Sequence, residues 1–178
     1  HPIRYRVDHQ IEELEAAGLT VQKVNAWEME KDILRHARTF IIFRCPLSDE
    51  VESLIRQAKK LNKRVIYDID DLVIDTAYTD SIPFVNAMTA HDKSCYDDGV
   101  RRMGETLKLC DCAITTTEGM AEELKKYVPR VYINRNVASE SMIDYSNIAI
   151  YRRDVLPSLQ SSSVLPEDRV PYKRAVER

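Results

Sequence analysis

Four short apolar runs, Phe40–Cys45 (FIIFRC), Arg64–Ile69 (RVIYDI), Cys112–Thr115 (CAIT) and Val131–Ile133 (VYI), each set apart by a stretch of helical periodicity, most restrict how these residues can fold. The first, a nearly continuous apolar run, suits a strand buried on both faces, and the others read as short strands. After the first run Pro46 breaks the chain, and Ser48 stands ready to cap a helix with Asp49 and Glu50 in its first turn and Lys59, Lys60 and Lys63 at its far end, as the helix dipole favours. Before the third run Tyr96, Val100, Met103, Leu107 and Cys110 recur at four-three spacing, which makes one buried helical stripe. Thr116 or Thr117 can cap a further helix ending near Tyr127. Parallel strands require crossovers of this kind, so the expected fold is α/β: an open, mostly parallel, Rossmann-like sheet with helices on both faces.

The flanking segments read less sharply. Ile3, Val7, Ile11, Leu14 and Ala17 recur at helical spacing before Gly18, predicting an amphipathic helix with a glycine stop. Leu19, Val21 and Val24 alternate as a short strand, Trp27 to Ala37 returns to a helical pattern, and residues 75–93 are polar and irregular. Beyond Asn136 a weaker helix is expected to about Arg153, then a stretch marked by Pro157, Ser161 to Ser163, Pro166 and Pro171. The organisation expected is one domain over residues 1–150 and a linker or tail over 151–178, in keeping with the 178-residue length.

With 26 Lys and Arg against 29 Asp and Glu there is no basic excess, so unspecific nucleic-acid binding is not expected. No apolar run approaches the roughly 18 residues of a membrane span, and the start lacks a signal-peptide layout. A cytoplasmic location is expected, compatible with peripheral association at a membrane. Cys45, Cys95, Cys110 and Cys112 form no CxxC pair with a nearby histidine, so they are expected to be reduced core thiols and not metal ligands. His1, His9, His36 and His91 show no mutual spacing that suggests a metal or a triad.

Ligands of an open parallel sheet bind outside the carboxyl ends of the strands. The residues that follow the runs are unusually polar: Arg44; Asp68, Asp70 and Asp71; Thr115 to Glu118; and Asn134, Arg135 and Asn136. Three carboxylates in YDIDD repel one another unless a cation or donor offsets them, and such a cost suggests a use. Plain helix capping and ion pairing is one explanation. A haloacid-dehalogenase-type phosphatase would use Asp68 as nucleophile, Asp70 as acid/base and magnesium as counter-ion, but no later strand ends in an acidic pair to hold the metal. A metal-binding DxD is a third reading, and a non-catalytic α/β interaction module a fourth.

From Arg4 to Ala149 the order of segments also resembles the N-terminal, acceptor-side domain of retaining glycosyltransferases of the GT-B two-domain fold, the group 1 or family 4 type. RYRVDHQIEELEAAGLTVQKV resembles the family's arginine-bearing loop and first helix; FIIFRCP and KRVIYDIDDL resemble its paired strands; LCDCAITTTEGMAEELKKY followed by RVYINRNVAS is similar to its strand, hydroxyl cap, helix and asparagine-bearing hinge. The resemblance implies a bacterial polysaccharide-building enzyme that takes a nucleotide sugar as donor substrate and a glycan as acceptor, with no resident cofactor and no metal. It implies substrate contacts from Arg4, Arg6, Arg44, Asp71, Thr116, Thr117 and Asn136, with Arg4 and Arg6 beside the diphosphate. A histidine often stands where this chain has Asp70, so Asp70 or Asp68 is expected to orient the acceptor hydroxyl. It further implies a first strand and glycine-rich loop before Arg4 and a donor-binding C-terminal domain after about residue 150. Without that domain, no transfer by these residues alone is expected. The slot of the first strand is expected to be filled by the C-terminal tail, by strand exchange with another chain, or by further residues.

Overall fold

A computed structural model of the chain describes residues 2–29, 32–139 and 142–146. The four apolar runs form β1 (Thr39–Phe43), β2 (Arg64–Asp68), β3 (Cys112–Thr115) and β4 (Val131–Ile133), a wholly parallel sheet in the order β1-β2-β3-β4. Around them lie α1 (His9–Ala16), entered through a π-helical turn at Arg4–Asp8, then α2 (Ile33–His36), α3 (Asp49–Lys60), α4 (Thr76–Thr79), α5 (Pro83–Asn86), α6 (Ala90–Leu109) and α7 (Glu118–Leu124). The chain is α/β, an open Rossmann-like sheet flanked by helices.

Residues in parallel register share a face. Phe40 stands opposite Val65, Tyr67 opposite Ala113, and Ala113 opposite Val131. That face builds the core with Val51, Ile55 and Ala58 of α3, Leu107 of α6, and Leu124 and Val128 at the end of α7. Each large apolar side chain so buried contributes about 1.5–3 kcal/mol. The other face carries Ile41, Ile66, Cys112, Ile114 and Tyr132 and is covered less completely, Ile41 being 40% and Tyr132 52% exposed.

Local chemistry sets the crossovers. The Ser48 hydroxyl accepts from the Val51 amide at 3.3 Å to start α3, and Asn62, at φ 54°, closes the turn after it in the left-handed conformation asparagine tolerates. Thr89 and Thr117 cap α6 and α7 in the same way as Ser48. Along α6 Val100, Leu107 and Cys110 are buried and Tyr96 and Met103 half-buried, the stripe the spacing predicts. Gly104 lies against the Ile74 backbone so closely that a methyl group there would collide with the Ile74 carbonyl oxygen.

Several expectations are corrected. Leu19 to Val24 forms no strand; a strand needs a partner ladder, and Lys23 instead ties this segment back to Asp8 at 2.6 Å. Trp27 to Ala37 is not one helix but a 3-10 turn at Ala26–Glu28 and the short α2, with Trp27 85% exposed. The polar stretch 75–93 is not irregular throughout: Asp75 caps α4, Pro83 opens α5, and α6 begins at Ala90. Among the described residues each strand from β1 to β4 is bonded to the next, so the sheet contains no central slot of the kind expected for a further first strand. Of the cysteines, Cys110 and Cys112 are buried and all four are free, but Cys95 is exposed on α6 and is no core thiol.

The chain divides into two compact units, His1–Val137 and Ala138–Arg178. The second is described only at Ala138, Ser139 and 142–146, where a helical turn begins with Met142 and Ile143 amides donating to the Ser139 carbonyl. The helix expected as far as Arg153 and the tail over 151–178 lie mostly or wholly outside the described residues. Among the described residues no helix is long and apolar enough to cross a membrane.

Candidate functional site

Asp68 ends β2 in the middle of the sheet and is fully buried. Its carboxylate is claimed by α1 and the turn before it: Arg6 Nε donates to Oδ1 at 2.9 Å, Arg6 Nη2 to Oδ2 at 2.8 Å, and Gln10 Nε2 to Oδ2 at 2.5 Å. The same guanidinium reaches the end of β4, where Nη1 donates to the Asn134 carbonyl at 2.6 Å and to Asn136 Oδ1 at 3.2 Å. One arginine, 2% exposed, thus joins the N-terminal helix to the carboxyl ends of two strands. A bidentate arginine–carboxylate pair is strong, and inside a protein both charges need such partners. Burial pushes the Asp68 carboxyl up, Arg6 and Gln10 pull it back, and the net displacement is upward.

The second pairing is at the open side of the edge. Arg44 follows β1 with φ 41°, a left-handed backbone that costs a non-glycine residue about 1–2 kcal/mol. Its amide donates to the Asp68 carbonyl at 3.1 Å, and its Nη1 lies 3.3 Å from Asp70 Oδ1 and 3.1 Å from Asp71 Oδ2. The Asp70 side chain is 15% exposed and that of Asp71 61%. The three acids are therefore drawn to two cations, and among the described residues no three His, Cys, Asp or Glu side chains gather as a metal set.

Of the predicted site residues, Arg6, Asp68 and Asn136 meet directly, and Arg44, Asp70 and Asp71 meet beside them. Arg4 does not join: it is exposed and makes no ion pair among the described residues, since positions two apart on a helix face opposite ways. Thr117 caps α7 by accepting from the Met120 amide at 3.3 Å, and the Thr116 hydroxyl points to Met120 Sδ at 3.8 Å; neither meets the arginine pairs.

Sequence reasoning missed the inward face of α1. The apolar positions Val7, Ile11 and Leu14 are only half-buried and Ile3 and Ala17 are exposed, whereas Arg6, His9 and Gln10 are buried. Their spacing of three and four, continued by Glu13 to Asn134 Nδ2 at 3.3 Å, was the available signal: a polar stripe that faces polar strand ends. His9 Nδ1 lies 2.9 Å from the Val137 carbonyl and donates to it, and Nε2 is buried with no hydrogen-bond partner among the described residues. Tyr5 stands edge-on to the His9 ring at 5.3 Å.

Chemically this edge offers a partly exposed carboxylate at Asp70 beside the Arg44 guanidinium, and an acceptor oxygen on Asn136. No protein-family model matches the chain, and neither a curated protein nor a solved structure matches it.

Proposed function

We propose that the chain is the acceptor-side half of a glycosyltransferase, moving a sugar from a nucleotide sugar to a polysaccharide or other glycan acceptor. The observation that carries this reading is Arg44, held in a strained backbone conformation where it presents Asp70 and Asp71 at the carboxyl edge of the sheet. Strain kept at a strand end is typical of sites that work on a ligand. Asp70, partly exposed beside a fixed cation, accepts a hydrogen bond from the acceptor hydroxyl and orients it. Asp68, with both oxygens engaged, acts through Arg6 as a positioning residue. Arg6 in turn sets Asn136 for sugar hydroxyls.

The saturation of Asp68 also favours sugar transfer over a phosphatase. A nucleophilic carboxylate needs a free oxygen facing phosphorus, and here each oxygen already accepts from arginine.

The test is transfer from radiolabelled nucleoside-diphosphate sugars to oligosaccharide acceptors by the full-length protein that carries this chain. Asp70→Asn should lower transfer by about 100-fold or more while circular dichroism stays unchanged. Transfer indifferent to that substitution, or none with any donor, contradicts the proposal; magnesium-dependent hydrolysis of p-nitrophenyl phosphate abolished by Asp68→Asn would establish the phosphatase instead.

A further inference from the structure

The opposite edge of the sheet, where the strands begin, holds a hollow of about 600 Å³ with four cations, Lys59, Lys63, Arg64 and Arg130, around a single carboxylate, Asp111. This is a strongly positive patch on a chain whose formal net charge is −3.

Asp111 has little left to neutralise it with. Its Oδ2 accepts from the Val65 amide at 2.8 Å, and its Oδ1 lies 3.3 Å from Lys59. Lys63 is tied to the Ala37 carbonyl at 2.5 Å. Arg64 and Arg130 make no ion pair or side-chain hydrogen bond among the described residues, yet both stand close enough to Cys112 to act on its thiol.

A helix C-terminus explains lysines nearby, because its free carbonyls attract positive charge, and Lys59 sits in the last turn of α3. Arg64 and Arg130 are not on helices. Arg64 opens β2 and Arg130 immediately precedes β4, with its carbonyl accepting from the Ala113 amide at 3.0 Å. Both backbones are fixed by the sheet while both side chains are exposed at the hollow. Two guanidinium forks carried on sheet-fixed backbones, with lysine ammonium groups beside them, are the groups by which proteins hold phosphate oxygens. The hollow is wide open to solvent, as suits an anion that keeps part of its hydration.

We propose that this hollow binds a phosphate-bearing anion, gripped by Arg64 and Arg130 and neutralised by Lys59 and Lys63. The site is separate from the carboxyl edge and does not depend on the sugar-transfer reading.

The probe is inorganic pyrophosphate, titrated calorimetrically into the full chain at low salt. A parallel arm measures co-sedimentation with phosphatidylcholine vesicles with and without phosphatidic acid. Arg64→Ala with Arg130→Ala should weaken binding at least ten-fold with far-ultraviolet dichroism unchanged, and Arg64→Lys with Arg130→Lys should restore only part of it, since the charge returns without the fork. Pyrophosphate binding identifies a soluble source, and sedimentation with phosphatidic acid vesicles alone identifies a lipid headgroup. Absence of both, or binding that the double alanine variant leaves unchanged, overturns the proposal.

Discussion

The two edges of the sheet spend their charges differently. At the carboxyl edge each of Arg6 and Arg44 is bonded to the acids that follow β2, and Arg6 further binds the end of β4. At the amino edge the acid Asp111 is engaged with the backbone and with one lysine, while the Arg64 and Arg130 side chains have no ion pair or hydrogen bond among the described residues. At the first edge the buried Arg6–Asp68 pair holds elements together, so its removal falls on stability. The other leaves cations unsatisfied by the protein, so their removal falls on binding.

The largest expected effect is at the carboxyl edge. Arg6→Ala strands a buried carboxylate and should cost about 3–5 kcal/mol in urea unfolding. Arg6→Met combined with Asp68→Leu should recover much of that loss, because it removes both charges together; a single variant as stable as the parent would erase the contrast between the edges.

Gly104→Ala follows. The backbone it would strike, at Ile74, lies just beyond the acid trio, so the substitution should destabilise by about 1–3 kcal/mol and disturb Asp70 and Asp71. Thermal unfolding of the variant measures the first, and loss of sugar transfer the second.

Cysteine chemistry probes the floor of the amino edge. Burial pushes the Cys110 thiol up to about 12. Iodoacetamide at pH 8 should therefore alkylate exposed Cys95 in the native protein and reach Cys110 only after unfolding. In the unfolded chain the same thiol ionises near pH 8.5. The folded state then holds the extra proton, so this group's contribution to stability is complete below about pH 8.5 and declines as pH rises toward the folded value. Replacing Cys110 with Ala should flatten that alkaline decline.

Arg44→Ala should alter stability by less than about 1 kcal/mol, because its acids are partly exposed and the strained backbone conformation offsets what the pairs contribute. The smallest effect is Arg64→Ala with Arg130→Ala, within about 0.5 kcal/mol in the same unfolding assay, since neither side chain bonds to a neighbour among the described residues. A large loss there would mean that the amino edge also serves as a brace.

Much of this was legible in the chain before any coordinates. The four strands followed from short, nearly continuous apolar runs, and the capped α3 and the stripe of α6 from caps and periodicity, because the burial of those helices is one-sided and regular. The acids at the end of β2 were visible as a cost in search of a partner. Their partners were not: Arg6 and Arg4 look alike in sequence, and only the helix phase decides which one turns inward. The apolar stripe of α1 misled, because strand ends that are themselves polar can bury Arg6, His9 and Gln10 more favourably than Val7 or Ile11. Leu19 to Val24 had strand periodicity with no ladder to join. The amino edge escaped notice because Lys59, Arg64 and Arg130 are far apart in sequence and become neighbours only once β2, β3 and β4 are laid side by side.

Sugar-transfer rates of the full-length protein carrying Asp70→Asn are compared with those of the protein carrying Arg56→Ala, an exposed arginine of α3 whose side chain, among the described residues, pairs with Glu52. A fall of about 100-fold for the first and parental rates for the second is the result this account predicts. Equal rates in the two variants would contradict a substrate-orienting role for the carboxyl edge.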